Sequence, residues 1–196
     1  SVVASSATII CAGDSVTLTA AGAINYSWST SSGLSSTTGS AVIASPAGSL
    51  TYTITGTDLN GCSDTAQISI IVNQLPVVNV SGVISICDGD STTLTASGAN
   101  TYSWSPQAGL NSSTGTTVLV TTTLSGTSYT VTGMDANGCV NVSAVTITVN
   151  QIPIADAGLN DTICLGQGST LNASGGTTYL WSMGQSTSSV TIVPTG

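Results

Sequence analysis

The chain has 196 residues and contains no Lys, Arg or His; its only charged side chains are eight Asp, for a net charge of −8. Without cations, side-chain ion pairs cannot form and phosphate cannot be neutralised, so nucleic acid drops out as a partner. Catalysis by His or Lys is excluded too, so Ser-His-Asp and Cys-His enzymes cannot be built from these residues.

Neither an enzyme nor a cofactor is expected. No apolar run reaches the 18 or more residues of a membrane span, so no membrane insertion by this segment is expected. Ser1 does not open a signal peptide, and the chain reads as a segment of something longer. Apolar residues alternate with Thr and Ser, which argues for strands, while helical periodicity is absent. The expected fold class is all-β.

In chain order, strand signals run through Val2–Ala4, Thr8–Ile10, Val16–Ala20, Asn25–Ser29, Ala41–Ala44, Leu50–Thr57 and Ala66–Val72. Gly, Asn, Asp and Pro punctuate them, and about seven short strands with frequent turns is the pattern of a β-sandwich. Asp58-Leu-Asn-Gly61 reads as a hairpin with a type I′ turn, since Asn-Gly tolerates positive φ. Asn25-Tyr-Ser-Trp-Ser29 returns as Thr101-Tyr-Ser-Trp-Ser105 and again as Thr178-Tyr-Leu-Trp-Ser182, and these three copies hold every tryptophan. Such a period decides the architecture before any local reading. It divides the chain into a repeat over 1–73, a second over 74–150 and a partial third over 151–196. Gln74-Leu-Pro76 and Gln151-Ile-Pro153 join them as short, stiff connectors. The third repeat keeps the first four or five strand signals and lacks the last two, which we read as truncation rather than completion by another chain.

In each repeat Tyr and Trp are two apart and face one side of a strand. Tyr26, Trp28, Tyr102, Trp104, Tyr179 and Trp181 are therefore expected as core anchors, with sugar stacking on the three Trp rings as the alternative. Alternating Thr, as in Thr51-Tyr-Thr-Ile-Thr55, raises ice binding as a third reading, which ordinary solvent-facing strand positions explain better.

Five cysteines fall in two classes. Cys11, Cys87 and Cys164 precede a Gly-rich turn, whereas Cys62 and Cys139 follow Asn-Gly directly. One disulfide per module is the expected count, Cys11–Cys62 and Cys87–Cys139, leaving Cys164 with its partner missing. The first bond would close a loop of about 50 residues, worth on the order of 4 kcal/mol. Such a term rivals the roughly 3–5 kcal/mol net that a core this small supplies. The rival pairing, Cys62–Cys87 and Cys139–Cys164, would cross-link consecutive repeats. Either implies an oxidising compartment.

The motifs Cys87-Asp-Gly-Asp-Ser-Thr-Thr-Leu, Tyr102-Ser-Trp104, Tyr129-Thr-Val-Thr132 and Asp135-Ala-Asn-Gly-Cys139 resemble the Ig-like and PKD-like modules of Bacteroidetes cell-surface adhesins. Those adhesins are exported by the type IX pathway, and the gliding-motility adhesins are the best known. The third repeat, from Ala155-Asp-Ala-Gly158 to Tyr179-Leu-Trp181, is similar to the PKD-like variant, although Ser follows each Trp where typical PKD domains have Asp. The resemblance implies tandem Ig-like/PKD-like β-sandwich modules in an extended array, without catalysis. It implies an extracellular, cell-surface location, with neighbouring repeats, surface glycans or other filament subunits as partners. The expected role is the shaft of an adhesin or surface filament, with a carbohydrate-binding module as the alternative. It also implies O-glycans where Asp precedes Ser or Thr, at Ser15, Thr65, Ser91 and Thr162. Asp88 and Asp90 are candidates for Ca²⁺, which takes six to eight oxygens, but the first repeat has Ala12 in place of Asp88.

Overall fold

The computed structural model describes residues 1–193. It contains strands and no helix among these residues. In the first module the strands are β1 (Val3–Ala4), β2 (Thr8–Cys11), β3 (Val16–Ala21), β4 (Asn25–Ser29), β5 (Ala41–Ala44), β6 (Leu50–Thr57) and β7 (Ser63–Asn73). They form two sheets, β1-β3-β5 and β2-β7-β6-β4. Every neighbouring pair is antiparallel except β2 and β7, which run parallel. The short opening segment thus lends β1 to one sheet and β2 to the other.

The second module repeats this plan with β8 (Asn79–Ser81), β9 (Ser85–Cys87), β10 (Ser91–Ser97), β11 (Thr101–Ser105), β12 (Thr117–Thr121), β13 (Thr127–Met134) and β14 (Val140–Asn150). Its sheets are β8-β10-β12 and β9-β14-β13-β11, with β9 parallel to β14. The expected all-β fold of tandem Ig-like sandwiches is what the structure shows.

Strict alternation explains why these residues pack as they do. On β6, Tyr52, Ile54 and Gly56 face inward, while Thr51 faces water and its hydroxyl meets that of Ser69 at 2.8 Å. Leu18, Val42, Ile68 and Ile70 close the first core, and Leu94, Val118, Val131 and Ile147 close the second. Each core is a separate cluster, one running from Val2 to Val72 and the other from Val78 to Val149. Gly56 stands opposite Tyr26 and Gly133 opposite Tyr102. A Cβ at Gly133 would lie 2.6 Å from Val78 and 2.8 Å from Ala99, so only glycine lets the opening segment close over this strand.

The hairpin turns differ from expectation. Gly61 N–H donates to the Asp58 carbonyl at 3.2 Å, and Gly61 alone of the turn has positive φ, at 82°. This is a type I turn followed by a left-handed glycine, not type I′. The Asp58 carboxylate explains the choice, since it accepts from the N–H groups of both Asn60 and Cys62 and holds Asn60 out of the left-handed region. Asp135 does the same for Asn137 and Cys139.

Among the described residues the third repeat forms β15 (Ser169–Asn172) and β16 (Ser189–Ile192), an antiparallel pair, and no other strand. The expected strand through Tyr179 and Trp181 is absent. In the other modules that strand is held by β6 or β13, and this sequence supplies no counterpart to pair with it.

Candidate functional site

Three places could carry function: the aromatic pairs, the acidic turns and the joint between the first two modules. The first is structural. Trp28 and Trp104 are 4% and 3% exposed, and their indole N–H groups donate to the Gly39 and Gly115 carbonyls at 2.9 Å. No ring face is left for a sugar, so the stacking alternative is overturned for both. The Tyr26 hydroxyl accepts from Ala23 N–H at 2.7 Å and donates to the Ala23 carbonyl at 2.8 Å; Tyr102 treats Ala99 identically. Two further tyrosines, not among the expected core anchors, lie deeper. Tyr52 and Tyr129 are fully buried, and their hydroxyls pin the loops after the Trp strands by donating to Ser32 and Ala108. Burial pushes both phenols above the usual tyrosine range, with a hydrogen bond from Thr122 partly offsetting it at Tyr129.

Tyr179 and Trp181 are only half-buried and belong to neither core. Trp181 still donates its N–H to the Thr187 carbonyl at 2.8 Å. The core-anchor expectation is corrected there, because the sheet that would cover the two rings is not formed.

The acidic turns hold no ready cation site. Asp88 and Asp90 flank Gly89, but no group of three acidic, Cys or His residues converges among the described residues. One Asp88 carboxylate oxygen is buried without a hydrogen-bond partner there. Ser15, Thr65, Ser91 and Thr162 are all exposed.

The joint is where the structure departs furthest from the sequence reading. Cys11 is bonded to Cys139, across the boundary between modules, with 5.6 Å between their Cα atoms. Cys62, Cys87 and Cys164 are free and exposed. Neither pairing expected from the sequence occurs among these residues. The reason lies in strand direction. Because β2 runs parallel to β7, Cys11 at the end of β2 aligns with Asn73 at the end of β7. Cys62 lies just before the start of β7, eleven residues earlier, which is about 36 Å away along a strand. A disulfide tolerates no more than about 7 Å between Cα atoms. The same geometry separates Cys87, aligned with Asn150, from Cys139 at the other end of β14. The rival pair Cys62–Cys87 fares worse, since those residues occupy the two remote ends of the joined modules.

Each half of the bond is built locally. Cys11 opens a turn in which Gly13 has φ 94° and Asp14 N–H returns to the Cys11 carbonyl at 3.0 Å. Cys139 is presented at the hairpin tip by Asp135, whose carboxylate takes its N–H at 2.9 Å. Around the bond, Asn141 donates its amide to the Pro76 carbonyl of the connector at 2.9 Å. An open cleft of about 450 Å³ beside it is lined by Ile9, Asp14, Ser15, Asn73 and Asn137 among others. A bond spanning 128 residues restricts the unfolded chain by about 5 kcal/mol in the chain-entropy model, shared between two modules. The joint holds two domains in one relation.

Residues 74–153 match the family model of the Ig-like domain described as CHU_C associated, which covers less than half of the chain. No curated protein matches. Among solved structures, a C-terminal fragment of intimin, in complex with the intimin-binding domain of its translocated receptor, is 13% identical with a TM-score of 0.47; the match covers 76% of this chain and 64% of that one. The titin domains I67–I69 (an E-to-A variant) align over 97% of this chain and 86% of theirs, at 13% identity and a TM-score of 0.40. The insect immune protein hemolin aligns over 76% and 46%, at 14% and 0.40. Likenesses this distant carry no functional weight. The Ig-like assignment rests on the strand order and on the family model.

Proposed function

We propose that the chain is a non-catalytic structural segment of an extracellular repeat protein, forming part of the shaft of an adhesin or surface filament. Its modules are 1–73 and 74–150, with 151–196 a partial third. The observation that carries this reading is the Cys11–Cys139 bond, which locks neighbouring sandwiches across the short Gln74-Leu-Pro76 connector. A bond of this kind keeps two modules in one relation under load, which suits a shaft that transmits tension. The bond requires an oxidising compartment, and no helix of the described residues is long and apolar enough to cross a membrane. The resemblance to Bacteroidetes adhesins supplies the finer setting: type IX export, gliding motility, and O-glycans at the exposed Ser15, Thr65, Ser91 and Thr162. Partners are neighbouring repeats first, then other filament subunits or surface glycans. Small-angle scattering of the oxidised chain tests the shaft. An extended particle whose maximum dimension fits the first two modules end to end is expected; one that bends freely at residues 74–76 while oxidised would overturn it.

A further inference from the structure

We infer that the Cys11–Cys139 bond is one instance of a staple repeated at every joint, always from the turn cysteine of one module to the hairpin cysteine of the next. Cys87 and Cys164 are then the turn halves of further staples, and Cys62 is a hairpin half. The partner each of them takes is another module of this type. The inference deepens the reading of the chain as a tandem array and rests on it.

Three observations carry it. The turn at Cys87 reproduces the turn at Cys11. Asp90 N–H returns to the Cys87 carbonyl at 3.0 Å, Gly89 has φ 87°, and Asp88 N–H donates to Asn150 at 2.8 Å as Ala12 does to Asn73. Cys164 keeps the same turn, with Gln167 N–H on its carbonyl at 3.0 Å and Gly166 at φ 82°. The hairpin at Cys62 reproduces the hairpin at Cys139, down to the 2.9 Å bond from its N–H to the Asp58 carboxylate. Finally, exposure divides these cysteines by engagement. Cys139, docked against the preceding module, is 0% exposed, whereas its counterpart Cys62, with no module docked on its hairpin here, is exposed. Within one module the two classes face opposite ends, so no internal partner competes.

Bond formation is a two-electron oxidation, and the oxidant is a disulfide such as oxidised glutathione. One protein thiolate attacks it and releases one glutathione; the second thiolate displaces the other. The protein sulfurs give up two electrons and two protons, which leave as two reduced glutathiones.

Two chains test the staple. In the 196-residue protein, alkylation without reduction should label Cys62, Cys87 and Cys164, and non-reducing peptide maps should show Cys11 linked to Cys139. A second chain, residues 1–150 followed by a further copy of 74–150, supplies Cys87 with a complete following module, which has its own core. After oxidised glutathione, Cys87 should be linked to Cys139 of the appended copy, leaving Cys62 and the appended copy's Cys87 as the alkylated thiols. Cys87→Ser in its first position should return the appended Cys139 to the thiol pool and leave Cys11–Cys139 intact. A map linking Cys87 to any other cysteine, or leaving it alkylated or capped by glutathione, would overturn the inference. Correct linkage in a chain that bends freely in scattering would leave the staple standing and remove the shaft.

Discussion

The second and third repeats read alike as far as their tryptophans, yet only the second closes into two sheets. Tyr102 and Trp104 lie on β11, whose register partners Gly133 and Val131 come from β13. Tyr179 and Trp181 have the same spacing but no strand to pair with among the described residues, and both remain half-buried outside either core. A Tyr-x-Trp segment therefore does not make its own strand. It becomes one when a partner strand further along the chain covers it, since cross-strand pairing and burial, more than local propensity, set β structure.

The sharpest way to break this comparison is truncation of the rings. Trp104→Ala should cost the second module about 3–5 kcal/mol, the range for deleting a buried aromatic. Trp181→Ala should change stability by well under 1 kcal/mol, within the range of surface substitutions. Denaturation followed by pulsed hydrogen exchange, read on peptides from each module, would separate the two. Equal losses would mean that the third repeat carries a core of its own.

The two joints give the next contrast. Cys139→Ser breaks the staple and should cost the joined modules about 2–5 kcal/mol between them, while exposing Cys11 to alkylation. Cys87→Ser in the same chain removes a free thiol and should leave both unfolding transitions where they were.

Glycine positions separate the modules more finely. Gly133→Ala forces a Cβ to within 2.6 Å of Val78, and overpacking of this kind costs about 1–3 kcal/mol. At Gly168 of the third repeat the nearest atoms would stand 3.5 Å away, an ordinary contact, so the same substitution there should be close to neutral. A comparable loss at both positions would show that backbone freedom, not closeness of packing, sets the cost.

Much of the fold was legible because it follows from local patterns. Alternation located the strands, and the recurrence of Tyr-x-Trp gave the repeat. The turn type was missed because the deciding group is a side chain: Asp58 accepts two N–H groups and overrides what Asn-Gly favours on its own. The disulfide was missed for a longer-range reason. The strand before the turn cysteine and the last strand of each module do lie side by side, but they run parallel. In a parallel pair, a cysteine ending one strand and a cysteine opening the other are a full strand length apart. The numbering already held that clue, since Cys11 closes β2 and Cys62 precedes β7. What it did not hold was the docking of one module's hairpin on the preceding module's turn, which depends on how two folded surfaces meet.

The smallest predicted effect compares the first module with the second at one position. Asp64 and Asn141 occupy equivalent sites near the start of the last strand. Asp64 accepts the Val2 N–H at 2.9 Å and the Thr65 N–H at 2.8 Å, and these bonds hold its carboxyl below the usual Asp range. Asn141 secures the same opening segment with reversed polarity, donating to the Pro76 carbonyl and accepting from Val142 N–H. An acid whose folded pKa is depressed contributes stability that is fully present above its unfolded value. That contribution is lost as pH falls through the folded value. As pH falls through that depressed value the Val2 clamp should weaken, and the protection of the Val2 amide against exchange, referred to its intrinsic rate at each pH, should fall. The amide clamp at Asn141 does not titrate, so exchange in the connector around Val77 should follow only the general acid response. Asp64→Asn should bring the first module's pH profile onto that of the second, with little change at neutral pH because Asp64 is exposed and the contribution is small. If Val2 exchange kept its acid sensitivity in Asp64→Asn, the clamp would not be its source, and the difference between the two modules would lie in their cores.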